Sequence, residues 1–98
     1  MRVWLAGVAL FLLVGGCSSA DEYLLGKDLY ERSCAACHAT DGSGSIGLEI
    51  DRGSNTHLNL TDEQIAGVIT VGPGNMPGFS RFTDEQVDSL VVYVRSFS

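Results

Sequence analysis

Cys34-Ala35-Ala36-Cys37-His38 is a C-x-x-C-H run, the spacing of a covalent haem attachment site. On a helix, two cysteines three positions apart share a face and sit about 4.5 Å apart along the axis, so both thiols can reach the vinyl groups at one haem edge. His38 follows Cys34 by four positions. Its imidazole therefore stays on that face, placed to meet the iron from the proximal side.

Toward the carboxyl terminus lies Gly72-Pro73-Gly74-Asn75-Met76-Pro77-Gly78-Phe79, whose glycines and prolines exclude helix and strand. Met76 is thus presented by a loop and is the expected sixth ligand, distal to His38. With these two stretches the chain resembles the class I (mono-haem) cytochromes c of bacteria over nearly all of its presumed mature length. The resemblance implies an all-α fold of three to four helices wrapped around one covalently bound haem c. It also implies an electron carrier, not an enzyme, passing one electron at a time through the exposed haem edge. Imidazole donates well to both iron oxidation states, whereas thioether sulfur is soft and prefers Fe(II), so His/Met ligation raises the reduction potential.

At the amino terminus, Met1-Arg2 is a short positive region and Val3 to Val14 an unbroken apolar run. Twelve residues are too few for a transmembrane helix, which needs about 20, so the run reads as the core of a signal peptide. Val14-Gly15-Gly16-Cys17 then resembles a bacterial lipobox, which predicts a signal peptide over residues 1–16, a diacylated Cys17 and a cytochrome c domain over residues 17–98. Ordinary cleavage after Ala20 is the alternative, because Ser18-Ser19-Ala20 also offers small residues. The cysteine count favours lipidation: haem uses two of three cysteines, and a leftover thiol in an exported protein calls for an explanation. The expected location is the periplasm or the outer face of the cytoplasmic membrane, with the chain anchored at Cys17.

From Cys17 onward the chain carries five basic and twelve acidic residues, a net charge of −7 before haem propionates are added. Such a surface argues against nucleic acid and against adhesion to anionic lipid. It suits basic patches on redox partners, namely a cytochrome complex or a terminal oxidase or reductase of a respiratory chain. A monomer is expected. So short a chain buries little core unaided, and haem supplies an apolar centre for it.

Three helices are predicted. The first runs from Asp21, as N-cap, to about Arg32, with Tyr23, Gly26 and Tyr30 on one face. Thr61-Asp62-Glu63-Gln64 and Thr83-Asp84-Glu85-Gln86 are two capping boxes, each with an apolar staple: Leu60 with Ile65, and Phe82 with Val87. They open helices reaching to about Val71 and about Phe97. Val87, Leu90, Val91 and Val94 form the apolar stripe of the last helix. By resemblance, Gly26 and Tyr30 mark where the first helix crosses the last, with Tyr93 near Gly26 and the missing Cβ permitting close approach. Residues 39–59 read as a loop.

The chain departs from the family at two places. Ala39 follows His38 where glycine is usual, which is expected to change the local turn more than the ligation. Leu48 stands where a proline commonly supplies the carbonyl that orients the proximal imidazole; any residue has a carbonyl, so that bond can survive with a less rigid acceptor. Arg52, Asn55 and Thr56 are candidates to meet a propionate, and Asn75 to shape the Met76 loop. His57 reads as a solvated loop histidine, with bis-histidine ligation a minor alternative.

Other readings of the motif are a haem sensor or peroxidase-like enzyme with a dissociable Met76, and a dithiol oxidoreductase. A zinc site lacks a fourth ligand at suitable spacing.

Overall fold

In a computed structural model the described residues are 23–98. The signal segment, Cys17 and Asp21 lie outside them. Among the described residues there are five helices and no strand: α1 Gly26–Ser33, α2 Ala35–His38, α3 Asn55–Asn59, α4 Asp62–Val71 and α5 Asp84–Arg95. Three are the long helices expected; α2 and α3 are single turns between them. None of the helices is long and apolar enough to cross a membrane.

Both capping boxes form as the residue pattern requires. Thr61 Oγ1 accepts from the Gln64 backbone N–H at 3.1 Å while Gln64 Oε1 accepts from Thr61 N–H at 2.9 Å. Thr83 and Gln86 repeat the exchange at 3.1 and 3.0 Å. Each box satisfies two of the N–H groups that a helix start leaves unpaired. Helix α4 then ends on Gly72, whose left-handed φ of +67° stops the helix without steric penalty.

The core forms where α5 packs on α1 and α4. Val87, Leu90, Val91 and Val94 bury the stripe of α5 against Leu29 and Tyr30 of α1 and Ile65 and Ile69 of α4. Burying side chains of this size removes about 1.5–3 kcal/mol each of exposed apolar surface. Tyr30, Tyr93 and Phe97 close the α1–α5 crossing as an aromatic triad, with ring centroids 5.1–5.3 Å apart and tilted or edge-on.

The first helix differs from its expected form. It starts at Gly26, with Leu25 in the N-cap position and no capping side chain, and it runs to Ser33. Tyr23 precedes the helix and is 84% exposed, so it does not share the buried face of Tyr30. The missing cap is replaced by long-range bonds: Gly26 N–H donates to Ser89 Oγ at 2.9 Å, and Gln86 Nε2 donates to Leu24 O at 3.2 Å. Gly26 is needed for its φ of +51°; a Cβ there would meet nothing within 4 Å, so close approach is not the reason. Tyr93 does stand beside it, lining the same groove. The last helix ends at Arg95, two residues short of Phe97, which is nonetheless buried.

The expected loop over 39–59 contains α3. Ser54, buried in the turn before it, donates to Asp51 O at 2.7 Å and accepts from His57 N–H at 3.1 Å, which caps the short helix. Arg95 then ties three segments together: Nε reaches Asp62 Oδ1 at 2.8 Å, while the two terminal nitrogens donate to His57 O and Leu60 O, each at 2.6 Å. Arg95→Ala is expected to lower stability by about 2 kcal/mol, since it strips charged donors from two backbone carbonyls. Arg95→Lys should recover little of this, because one ammonium cannot reproduce the planar fork. Urea unfolding midpoints of the three chains check it, and equal recovery by lysine would refute the fork argument.

Candidate haem-binding site

The attachment motif occupies the break between α1 and α2. Cys34, with φ −123° and ψ −35°, ends the first helix and caps the second. The turn it opens is still helical, because His38 N–H donates to Cys34 O at 3.0 Å. This places Cys34, Cys37 and His38 at the first, fourth and fifth positions of one turn, the arrangement the spacing anticipates. Both thiols are free and half-buried. Burial, with the charge of Cys37 adding to it, pushes the Cys34 thiol up to about 11. Thiol–disulfide exchange needs the opposite, a thiolate favoured near neutrality, so this environment does not suit a dithiol oxidoreductase.

His38 is held by the loop after α2. Its Nδ1 lies 2.8 Å from Leu48 O. A carbonyl only accepts, so Nδ1 carries the proton and Nε2 is left with its lone pair, the tautomer an iron ligand needs. The acceptor is the carbonyl of Leu48, at the position where the family commonly has proline.

The rigidity that proline would lend comes from elsewhere. Gly47 N–H donates to Cys37 O at 2.8 Å and Gly44 N–H to His38 O at 2.9 Å, which sews the loop to the end of α2. Gly47 also lies flat on the imidazole: a Cβ there would stand 2.9 Å from His38 Cε1 and 3.0 Å from Nδ1. Gly47 is the glycine one residue before the orienting carbonyl in the sequence.

Ala39 stands in a backbone region that favours glycine, with φ +67° and ψ 162°. Its surroundings hold it there. Tyr30 Oη, with its hydroxyl kept protonated chiefly by burial, donates to Ala39 O at 2.7 Å, and Ala39 N–H donates to Ala35 O at 2.8 Å. This backbone region is nearly confined to glycine and costs about 1–3 kcal/mol elsewhere. Ala39→Gly is therefore expected to stabilise the chain by about 1 kcal/mol after allowance for the freer unfolded backbone. Thermal unfolding of the haem-loaded protein checks it, and a lowered melting temperature would contradict the strain.

Met76 sits half-buried against the core on a loop pinched shut at its base. Phe79 N–H returns to Ile69 O at 2.9 Å and Met76 N–H to Pro73 O at 3.2 Å. The two strands of the pinch touch through glycine: a Cβ on Gly72 would come within 2.3 Å of Gly78 N, and one on Gly78 within 2.7 Å of Val71 O. Downstream, Phe79 and Phe82 stack at 4.8 Å with the Arg81 guanidinium about 5 Å above both rings, which fastens the loop to the start of α5.

These residues fit a covalently held haem. The donor set is two thiols on one helical turn, an imidazole with a committed tautomer and a thioether on a fixed loop. Leu48 and Val71, which border the segments carrying the candidate ligands, are 66% and 75% exposed. Among the described residues no three His, Cys, Asp or Glu side chains converge as an alternative metal site.

The remaining candidates are scattered. Arg52, Asn55 and Asn75 are exposed, and Asn55 accepts from Asn59 Nδ2 at 2.6 Å. Thr56 is half-buried. His57 is also half-buried, within α3, and its Nδ1 is shielded with no hydrogen-bond partner, unlike the solvated loop residue expected.

The chain resembles known proteins over most of this region. The family described as "Cytochrome C oxidase, cbb3-type, subunit III" matches residues 21–94. Cytochrome c6 of Leptolyngbya boryana is 35% identical over 72 residues, covering 70% of this chain and 85% of that protein. Cytochrome c-555 of Chlorobaculum tepidum is 33% identical over 98 residues, covering 89% and 87%. The cbb3-type cytochrome c oxidase subunit CcoP of Azospirillum brasilense is 33% identical over 79 residues, covering 72% of this chain and 27% of that subunit. The chain thus spans most of two small cytochromes and about a quarter of a larger oxidase subunit. It belongs to the class I, mono-haem cytochrome c family, carries one covalently bound haem c and functions in electron transfer.

Proposed function

We propose that the chain is a single-electron carrier in which Cys34 and Cys37 hold the haem, His38 is the proximal ligand and Met76 the distal one. It works outside the cytoplasm as a monomer tethered to a membrane at a diacylated Cys17, after loss of residues 1–16, and serves a respiratory chain without catalysing a reaction of its own. Bound haem supplies the one-electron couple of its iron. The residues of the chain do the rest: the thioethers keep the cofactor in place, Leu48 O holds the imidazole in register, and the pinched loop presents the sulfur.

The observation that carries this reading is the 2.8 Å bond from His38 Nδ1 to Leu48 O, which leaves the Nε2 lone pair available to a metal. The pinch at Gly72 and Gly78 favours a permanently seated Met76 over a dissociable one, hence a carrier over a sensor or peroxidase. The CcoP and gluconate 2-dehydrogenase cytochrome c subunits among the relatives support redox proteins as partners. The acidic mature chain favours a basic docking face on them.

Absorption spectra of protein matured in a host with haem-attachment machinery test the proposal. Expected are a sharp reduced α-band that stays with the polypeptide through acid-acetone extraction and, when oxidised, the weak sulfur-to-iron band in the red. A colourless chain with two titratable thiols would overturn it.

A further inference from the structure

A groove runs along the α1–α5 crossing at the end where the chain enters the domain. Leu25, Gly26, Val92 and Tyr93 line it together with Asp88, Ser89 and Ser96. Two of its lining residues are exposed and apolar, Leu25 at 42% and Val92 at 70%, and Tyr23, two residues before Leu25, is 84% exposed. Leu24 O and Gly26 N–H are both bonded to α5, which fixes residues 24–26 against it.

We propose that this groove is the membrane-facing surface of the protein and that its occupant is the headgroup region of the bilayer carrying the Cys17 anchor. The inference rests on the anchored form proposed above. Cys17 precedes Tyr23 by six residues, which reach at most about 20 Å even when fully extended. An anchor at Cys17 therefore keeps the point where the chain enters the domain, beside this groove, within that distance of the lipid.

An exposed tyrosine with exposed leucine and valine is the mixture that partitions to a bilayer interface. The net charge of −7 over residues 17–98 directs the choice of lipid, disfavouring an anionic surface and leaving a zwitterionic one such as phosphatidylcholine. The apolar margin is small, so the contact depends on the effective concentration that the tether imposes. Helix α1 starts at this groove, and its eight residues carry the chain about 12 Å to Cys34 at the other end.

Hydroxyl-radical footprinting of the haem-loaded, anchored protein in phosphatidylcholine vesicles tests this against a Cys17→Ser chain exported with an ordinary signal peptide and left free in solution. Oxidation of Tyr23, Leu25 and Val92 is expected to fall several-fold in the vesicles, with Ile46, which is 87% exposed on the loop beside His38, unchanged. Vesicle flotation and the mass of the amino-terminal peptide report separately on the anchor. A diacylated chain that floats yet shows no protection would overturn the inference and leave the anchor standing. An unacylated chain would overturn both. Protection of the same residues in the lipid-free Cys17→Ser chain, growing with protein concentration, would give the groove to a second copy and refute the membrane assignment.

Discussion

Met76→Ala is expected to lower the reduction potential on the order of a hundred millivolts or more, within the ~0.8 V that axial ligation spans across haem proteins. The sign follows from ligand softness: thioether sulfur stabilises Fe(II) over Fe(III), and its loss favours the oxidised state. The same change should abolish the weak sulfur-to-iron band and let the reduced protein bind carbon monoxide at neutral pH. Fold stability should change far less, because Met76 is only half-buried at the edge of the core. Redox titration, the oxidised spectrum and a ferrous carbon monoxide titration read the three effects. An unaltered potential with the band retained would place the distal ligand elsewhere.

Gly72→Ala should be among the most damaging single-methyl additions in the chain. The residue has φ +67°, which an alanine adopts only under strain, and its Cβ would fall 2.3 Å from Gly78 N and 2.5 Å from the Pro77 carbonyl carbon. Those neighbours are backbone and cannot swing aside. Left-handed strain of about 1–2 kcal/mol and overpacking of about 1–3 kcal/mol together give roughly 2–5 kcal/mol, a large part of what holds a domain this small. The clash opens the base of the Met76 loop, so the sulfur-to-iron band should disappear at a lower denaturant concentration than helical structure does. Gly74→Ala is the internal comparison. It lies in the same loop with φ +62° but a Cβ there meets nothing within 4 Å, so it should show the strain without the clash. Equal losses from the two variants would show that the pinch contributes nothing.

What the sequence determined by itself is the local chemistry. The C-x-x-C-H spacing falls on one helical turn because helix geometry is independent of the rest of the chain. Both threonine capping boxes form as written, because the groups that exchange hydrogen bonds are three residues apart. The stripe of Val87, Leu90, Val91 and Val94 predicts a buried face and is one.

Only the tertiary structure decided the features whose partners are distant in sequence. The first helix starts at Gly26 because Ser89 and Gln86, more than sixty residues away, satisfy its end in place of a local cap. The one-turn helix at Asn55–Asn59 persists in a polar stretch because Arg95, at the far end of α5, grips His57 O within it and Leu60 O just after it. Gly47 and Ala39 take their meaning from an imidazole ring and a tyrosine hydroxyl packed against them. Periodicity carries information about which face of an element is buried, but it does not say which backbone group will meet which side chain once the helices cross. In this chain those long-range hydrogen bonds and glycine contacts aim His38 and clamp the Met76 loop.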